Sequence, residues 1–204
     1  MIKFNLPNIH EYNHENCQVI RFGDDKKWGY ELYINGEQFM TYEFRNGPLY
    51  ELFSHNYFAH GHVITTGLGF GFREMMLINN PKVKSVTTIE KSAEVIKFHE
   101  DLNPDLVSKI NIINTDADTY EGSCDTLLVD HYELNYSLDI IKNCLSNIKC
   151  KTLWWWGFEF LYSYQQFLNL KKKYVQLPDV SELEYQMIKH VYSSRDYDEL
   201  NSIQ

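Results

Sequence analysis

From residue 62 onward the chain alternates two apolar patterns. Short β-branched runs read as buried strands: Val63-Ile64-Thr65-Thr66, Val86-Thr87-Thr88-Ile89, Ile110-Asn111-Ile112-Ile113 within 109–116, and Thr126-Leu127-Leu128-Val129 within 124–130. Between them lie stretches with helical spacing. Arg73-Glu74-Met75-Met76-Leu77-Ile78 has good helix formers and ends at Asn79-Asn80-Pro81. Ser92 caps a helix to Leu102, with Glu94 in its first turn and Asn103-Pro104 as its stop. A further helix over 138–148 carries Ile140, Ile141, Cys144 and Leu145 as its apolar stripe. Residues 152–159 read as a fifth strand, in which Trp154, Trp155 and Trp156 project to alternate faces. After it the pattern predicts a helix over 160–173, strands at 174–177 and 187–193, and a polar tail. Strand–helix alternation of this kind predicts an α/β fold: a Rossmann-like, mostly parallel sheet with helices on both faces and right-handed crossovers.

The first 60 residues read differently. Residues 29–44 form a hairpin pattern about Asn35-Gly36, the strongest short turn signal. Arg45-Asn46-Gly47-Pro48 breaks it, and a short helix follows before His60. Residues 1–28 read as an exposed polar segment. They contain His10-Glu11-Tyr12-Asn13-His14, literally H-E-x-x-H, but Asn8, Asn13 and Asn16 disrupt the helix that zinc hydrolysis requires, so no metal is expected. His60-Gly61-His62 sits at the entry of the first parallel strand, opposite the expected site, and reads as ordinary loop histidines. The division expected is an N-terminal segment over 1–60, a nucleotide-binding domain over 61–194 and a tail over 195–204.

Chemistry concentrates at one end of the parallel strands. Gly67-Leu68-Gly69-Phe70-Gly71 joins the first strand to its helix. Glycine permits a tight turn and a close ligand approach, and the helix start offers N–H donors. The third glycine comes four residues after the first, whereas the dinucleotide fingerprint places it at five. G-x-G-x-G is instead the pattern of class I methyltransferase-fold proteins, which bind S-adenosylmethionine (SAM). Glu90 ends the second strand, where an acid can accept both hydroxyls of a ribose. Asp116 ends the third, and Asp130-His131-Tyr132-Glu133 follows the fourth. Open parallel sheets place their sites at that end.

From about residue 29 to 133 the chain resembles the spermidine-synthase-like branch of the class I SAM-dependent methyltransferase superfamily. The hairpin matches the β region that precedes the nucleotide fold in that branch. Glu51-Leu52-Phe53-Ser54-His55 resembles its E-M-x-x-H segment, and Thr88-Ile89-Glu90-Lys91-Ser92-Ala93-Glu94-Val95-Ile96 its V-E-x-D-x-x-V-I. Thr115-Asp116-Ala117 resembles G-D-A, and Asp130-His131-Tyr132-Glu133 resembles D-S-S-D. The resemblance implies a cofactor pocket of Gly67, Leu68, Gly69, Phe70, Gly71, Glu90, Lys91, Asp116 and Ala117. It places Glu90 at the ribose, Asp116 at the adenine and Asp130 at the catalytic acid. His131 and Glu133 join Asp130 as candidate bases for a small, amine-bearing acceptor such as a polyamine. The sequence departs from the family where aminopropyltransferases carry an aspartate that helps hold decarboxylated SAM, since Phe70 stands there. Thr65 stands where methyltransferases usually have an acid. Phe70 favours SAM and methyl transfer over decarboxylated SAM and aminopropyl transfer.

Composition narrows the alternatives. A net charge of −9 argues against a nucleic-acid partner, which draws on clustered Lys and Arg. The cationic run Lys171-Lys172-Lys173 reads as a helix end. Four cysteines without C-x-x-C spacing fit a reduced, cytoplasmic setting, and no run approaches the roughly 20 apolar residues of a membrane span. A homodimer is left open. Two other readings stay beside the transferase: a nicotinamide oxidoreductase, disfavoured by the glycine spacing, and a SAM-fold module that binds and does not catalyse.

Overall fold

The computed structural model describes residues 11–23, 27–45, 53–131, 138–155 and 163–193. An antiparallel sheet comes first, with β1 (Tyr12–His14), β2 (Cys17–Gly23), β3 (Lys27–Ile34) and β4 (Glu37–Arg45) lying in chain order. β3 and β4 are the expected hairpin. Asn35 and Gly36 take φ of 55° and 80° at its tip, the two positive values that a type I′ turn needs. β1 and β2 correct the reading of 1–28 as a polar segment. Cys17 and Val19 alternate inward from β2 while Gln18 and Arg21 are exposed, so this polar stretch still supplies one apolar face. Tyr12–His14 is extended, which excludes the H-E-x-x-H helix there; His10 lies outside the described residues.

The second sheet is built from β5 (Gly61–Thr66), β6 (Val83–Glu90), β7 (Asn111–Asn114), β8 (Gly122–Val129) and β9 (Ile148–Trp155), in the order β7-β6-β5-β8-β9 and parallel throughout. α2 (Phe72–Ile78) connects β5 to β6, α3 (Ala93–Leu102) and α4 (Pro104–Val107) connect β6 to β7, and α5 (Leu138–Asn147) connects β8 to β9. The chain steps outward from β5 in one direction and from β8 in the other. Right-handed crossovers therefore place α2 and α3 on one face and α5 on the opposite one. The fold class is the expected one.

α1 (Phe53–Phe58) precedes β5, and α6 (Tyr164–Lys173) and α7 (Glu182–Ser193) close the described chain. Here two expected strands are overturned. Residues 174–177 form a turn that gives β9 a single edge bond, from Leu153 N–H to Gln176 O at 2.9 Å. Residues 187–193 belong to α7, where Tyr185 and Ile188 are buried three apart and Ser181 caps the start, donating to and accepting from Glu184. The expected 160–173 helix begins only at Tyr164, behind a Ser163–Gln166 capping box.

Two apolar clusters hold the molecule. The larger fills the parallel sheet, with Ile64, Leu127, Leu153, Trp154 and Trp155 buried together. Trp154 packs on Phe58 and donates to Ser54 Oγ at 2.9 Å. The smaller joins Cys17, Val19 and Leu32 of the antiparallel sheet to Leu68, Phe70, Phe72, Val95 and Phe98. It anchors the hairpin sheet against the glycine turn, and that junction shapes the site.

Candidate functional site

The order β7-β6-β5-β8-β9 reverses direction between β5 and β8, and such a switch point opens a crevice at the strand ends. The turn after β5 lies there. Gly67 has φ 78°, and a Cβ on it would meet the Asp130 carbonyl oxygen at 2.5 Å, so the ends of β5 and β8 approach only through glycine. Gly71 caps α2 at φ 71°, with His99 and Leu106 against the space a Cβ would need. Leu68 and Phe70 alternate with the glycines and are buried in the smaller cluster. His99 Nε2 reaches Gly69 O at 2.8 Å and braces the turn from α3, and burial holds this imidazole below its ordinary value.

Glu90 is 3% exposed. Its Oε2 accepts the Leu68 N–H at 2.7 Å and its Oε1 the Ser92 N–H at 2.8 Å, which ties the end of β6 to the turn. Each carboxylate oxygen retains a second acceptor position. Asp116 lies in the turn beyond β7, with Oδ1 accepting the Asp118 N–H at 2.9 Å.

Arg73, in the first turn of α2, is the residue that sequence reasoning passed over. It is buried, with Nη1 3.0 Å from Asp130 Oδ2 and Nε and Nη2 on Glu74 Oε1 at 3.1 and 2.9 Å. Nη2 also donates to the carbonyls of Thr66 and Gly67. Burial pulls its pKa down, but Glu74 and Asp130 outweigh this and hold it above its ordinary value. Thr65 donates to the same Glu74 oxygen at 2.7 Å. A carboxylate is therefore present beside Thr65, delivered by the helix rather than by the strand. The signal available in sequence was Arg73-Glu74 directly behind three glycines.

One cavity of about 490 Å³ collects these groups. Its lining includes every described residue expected at the site: Gly67, Leu68, Gly69, Phe70, Gly71, Glu90, Lys91, Asp116, Ala117, Asp130 and His131. Glu133 lies outside the described residues, as do residues 156–159 at the end of the expected fifth strand. Phe39, Met40 and Tyr42 of β4 supply a wall instead, together with Arg73, Glu74 and Asp118. The ring of Phe70 packs beside Tyr30 and Phe72 at centroid distances of 6.2 and 5.8 Å. His131 turns its Nδ1 to Thr66 Oγ1 at 2.7 Å and its Nε2 toward Asp118 Oδ1 at 3.6 Å. Burial lowers its pKa, against the opposing pull of Asp118 and Asp116. His60 and His62 reach Thr152 and Thr87 on opposite sides of β5 and form no pair.

An apolar wall facing a bank of carboxylates suits a ligand with a flat ring, a hydroxylated sugar and a cationic group. No protein-family model and no curated protein sequence matches the chain. Among solved structures it is similar to a spermidine synthase from Thermotoga maritima, at 15% identity over 69% of this chain and 52% of that one, with a TM-score of 0.44. A spermidine synthase in complex with the transition state analogue AdoDATO is similar at 14% identity over 69% and 54%, with a TM-score of 0.45. An S-adenosylmethionine-dependent methyltransferase from Clostridium acetobutylicum is similar at 17% identity over 47% and 42%, with a TM-score of 0.36. The chain thus spans about half the length of the two synthases and less of the methyltransferase. Among the described residues no helix is long and apolar enough to cross a membrane.

Proposed function

We propose that this chain is a SAM-dependent transferase that moves a methyl group to a small, amine-bearing acceptor. One observation carries the reading. The glycine turn, Glu90, Asp116 and Asp130 come from four strand ends and share a single cavity at the switch point of the parallel sheet. The residues fit the nucleotide. Glu90 keeps acceptor capacity for both ribose hydroxyls after its two backbone bonds, Asp116 and Ala117 would edge the adenine side, and Gly67 to Gly71 would lie under the amino-acid portion. When bound, SAM supplies a methyl group on a sulfonium, a leaving group that needs no further activation.

The chain's own work is then alignment, exclusion of water and management of one proton. Phe39, Met40 and Tyr42 close the apolar side. Arg73 fixes the Asp130 carboxylate, which meets the acceptor's ammonium and takes its proton. His131 is turned to Thr66 and Asp118 and acts by position, and Glu133 is assigned with Asp130 to the acceptor side. In this reading residues 61–194 form the nucleotide-binding domain behind a hairpin-bearing segment over 1–60.

Phe70 favours SAM itself, because a packed aromatic ring there offers the decarboxylated ligand no carboxylate for its propylammonium arm. The carboxylates lining the cavity favour the second reading, aminopropyl transfer, since they suit cationic amines of either kind. Side-by-side titrations of the two sulfonium ligands, with a panel of amine acceptors and labelled SAM, separate the readings. Tighter binding of SAM with label passing to an amine is the expected result. A tenfold preference for decarboxylated SAM, about 1.4 kcal/mol, means aminopropyl transfer. Binding without product from any acceptor means a module that does not catalyse.

A further inference from the structure

Beside the nucleotide site, three side chains of different chemistry converge from three elements: Asp118 in the turn after β7, His131 at the end of β8 and Cys144 on α5. Their donor atoms all lie within 4.8 Å of one another. None is adjacent to another in sequence, and only the fold brings them together. We propose that Asp118 Oδ1, His131 Nε2 and Cys144 Sγ form a three-donor site for a thiophilic divalent cation of the zinc class.

The donor set points to that class. A thiolate and an imidazole select zinc and its transition-metal neighbours, whereas calcium and magnesium take oxygen ligands alone. Zinc bonds of about 2.0 Å to N or O and about 2.3 Å to S place tetrahedral donors roughly 3.3–3.8 Å apart. His131 Nε2 and Asp118 Oδ1 stand at 3.6 Å already. Cys144 Sγ lies within 4.8 Å of both.

Each donor is held by a contact that the metal does not supply. Thr66 Oγ1 lies 2.7 Å from His131 Nδ1, the outer partner that metal-binding imidazoles use to fix ring orientation and direct Nε2 at the ion. Asn147 Nδ2 donates to the Asp118 carbonyl at 2.7 Å and locks the end of α5 to the Asp118 turn. Cys144 is completely buried in the larger cluster, which holds its side chain in place. Asp116 adds a second carboxylate close by, and Lys91 is the cation that also acts on His131. Three protein donors leave one tetrahedral position. Asp118 and His131 both line the cavity, so that position opens toward it and takes a water or a heteroatom of a bound molecule.

The site is independent of whether SAM binds, and its test uses the metal alone. The full-length chain, stripped with chelator, is titrated with cobalt(II) as a spectroscopic stand-in and with zinc in competition against a metal-binding dye. The expected result is one equivalent bound, with a thiolate-to-cobalt band in the near ultraviolet that is absent from Cys144→Ala. Asp118→Asn, a change at an exposed carboxylate that leaves the core intact, should weaken zinc at least tenfold. Failure of the wild-type chain to take up either metal overturns the proposal. So does an unchanged cobalt band in Cys144→Ala, or wild-type zinc affinity in Asp118→Asn.

Discussion

Arg73 settles the charge at the base of the cavity. Its guanidinium stands between Glu74, which is fully buried, and Asp130, and it also holds the carbonyls of the glycine turn. Removing it leaves a buried carboxylate without its cation, a change that costs roughly 3–5 kcal/mol. Arg73→Met should therefore lower the urea unfolding free energy by that order, and Arg73→Met with Glu74→Gln should recover much of it, because the pair is coupled. Additive losses in the double variant would mean that the two residues act separately. Sequence showed this pair only as Arg73-Glu74 behind the glycines, without its burial. At the start of a helix, Arg-Glu reads as a solvated turn, and only the docking of α2 beside β5 and β8 carries both side chains inside. The same limit concealed the true setting of Phe70. Its position was legible as a missing aspartate, but its packing on Tyr30 and Phe72 depends on the hairpin sheet. Phe70→Asp would disturb that core and is a poor probe of ligand choice.

Two helices bury a neutral imidazole each, and this makes their docking sensitive to acid. His55 on α1 is 1% exposed and burial pushes its pKa down to about 3, with the Arg73 cation adding to the effect. His99 on α3 is lowered by burial as well, though its bond to Gly69 O opposes the shift. Unfolded, both take a proton near pH 6.5. Below that pH the unfolded chain binds more protons than the folded one, so stability falls as pH falls, by up to about 1.4 kcal/mol per pH unit from His55, with His99 adding in the same direction. Unfolding free energies measured from pH 7 to 5, above most carboxylate titrations, should show this decline, and His55→Leu should flatten it. A constant value across that window would contradict the assignment. At this scale most of the fold was legible. β-branched runs marked β5, β6 and β8, Asn35-Gly36 marked the hairpin, and Ser92 marked the start of α3. The misreading at 187–193 has a physical cause. Ile188, Val191 and Tyr192 favour strands locally, while the cap at Ser181 and the burial of Tyr185 with Ile188 impose a helix. At 174–177 the single edge bond to Leu153 is what remains of the expected strand.

At the scale of the whole molecule, the described residues form two sheets that meet at the glycine turn. Leu68 and Phe70 follow β5 and enter the core that Cys17, Val19 and Leu32 begin, so the turn is shaped by both halves of the chain. That arrangement gives the cavity an apolar wall from β4 and a carboxylate bank from β6, β8 and the turn after β7. The decisive measurement is a calorimetric titration of SAM into the full-length chain, run on the wild type and on Glu90→Gln. The substitution keeps the side chain's size and removes the charge proposed to receive the ribose. Bonds to a charged group contribute about 1.5–3 kcal/mol each, so one-site binding to the wild type with at least tenfold weaker binding to a folded Glu90→Gln is the predicted result. No saturable binding of SAM to the wild type, or equal affinity in the two proteins, would contradict it.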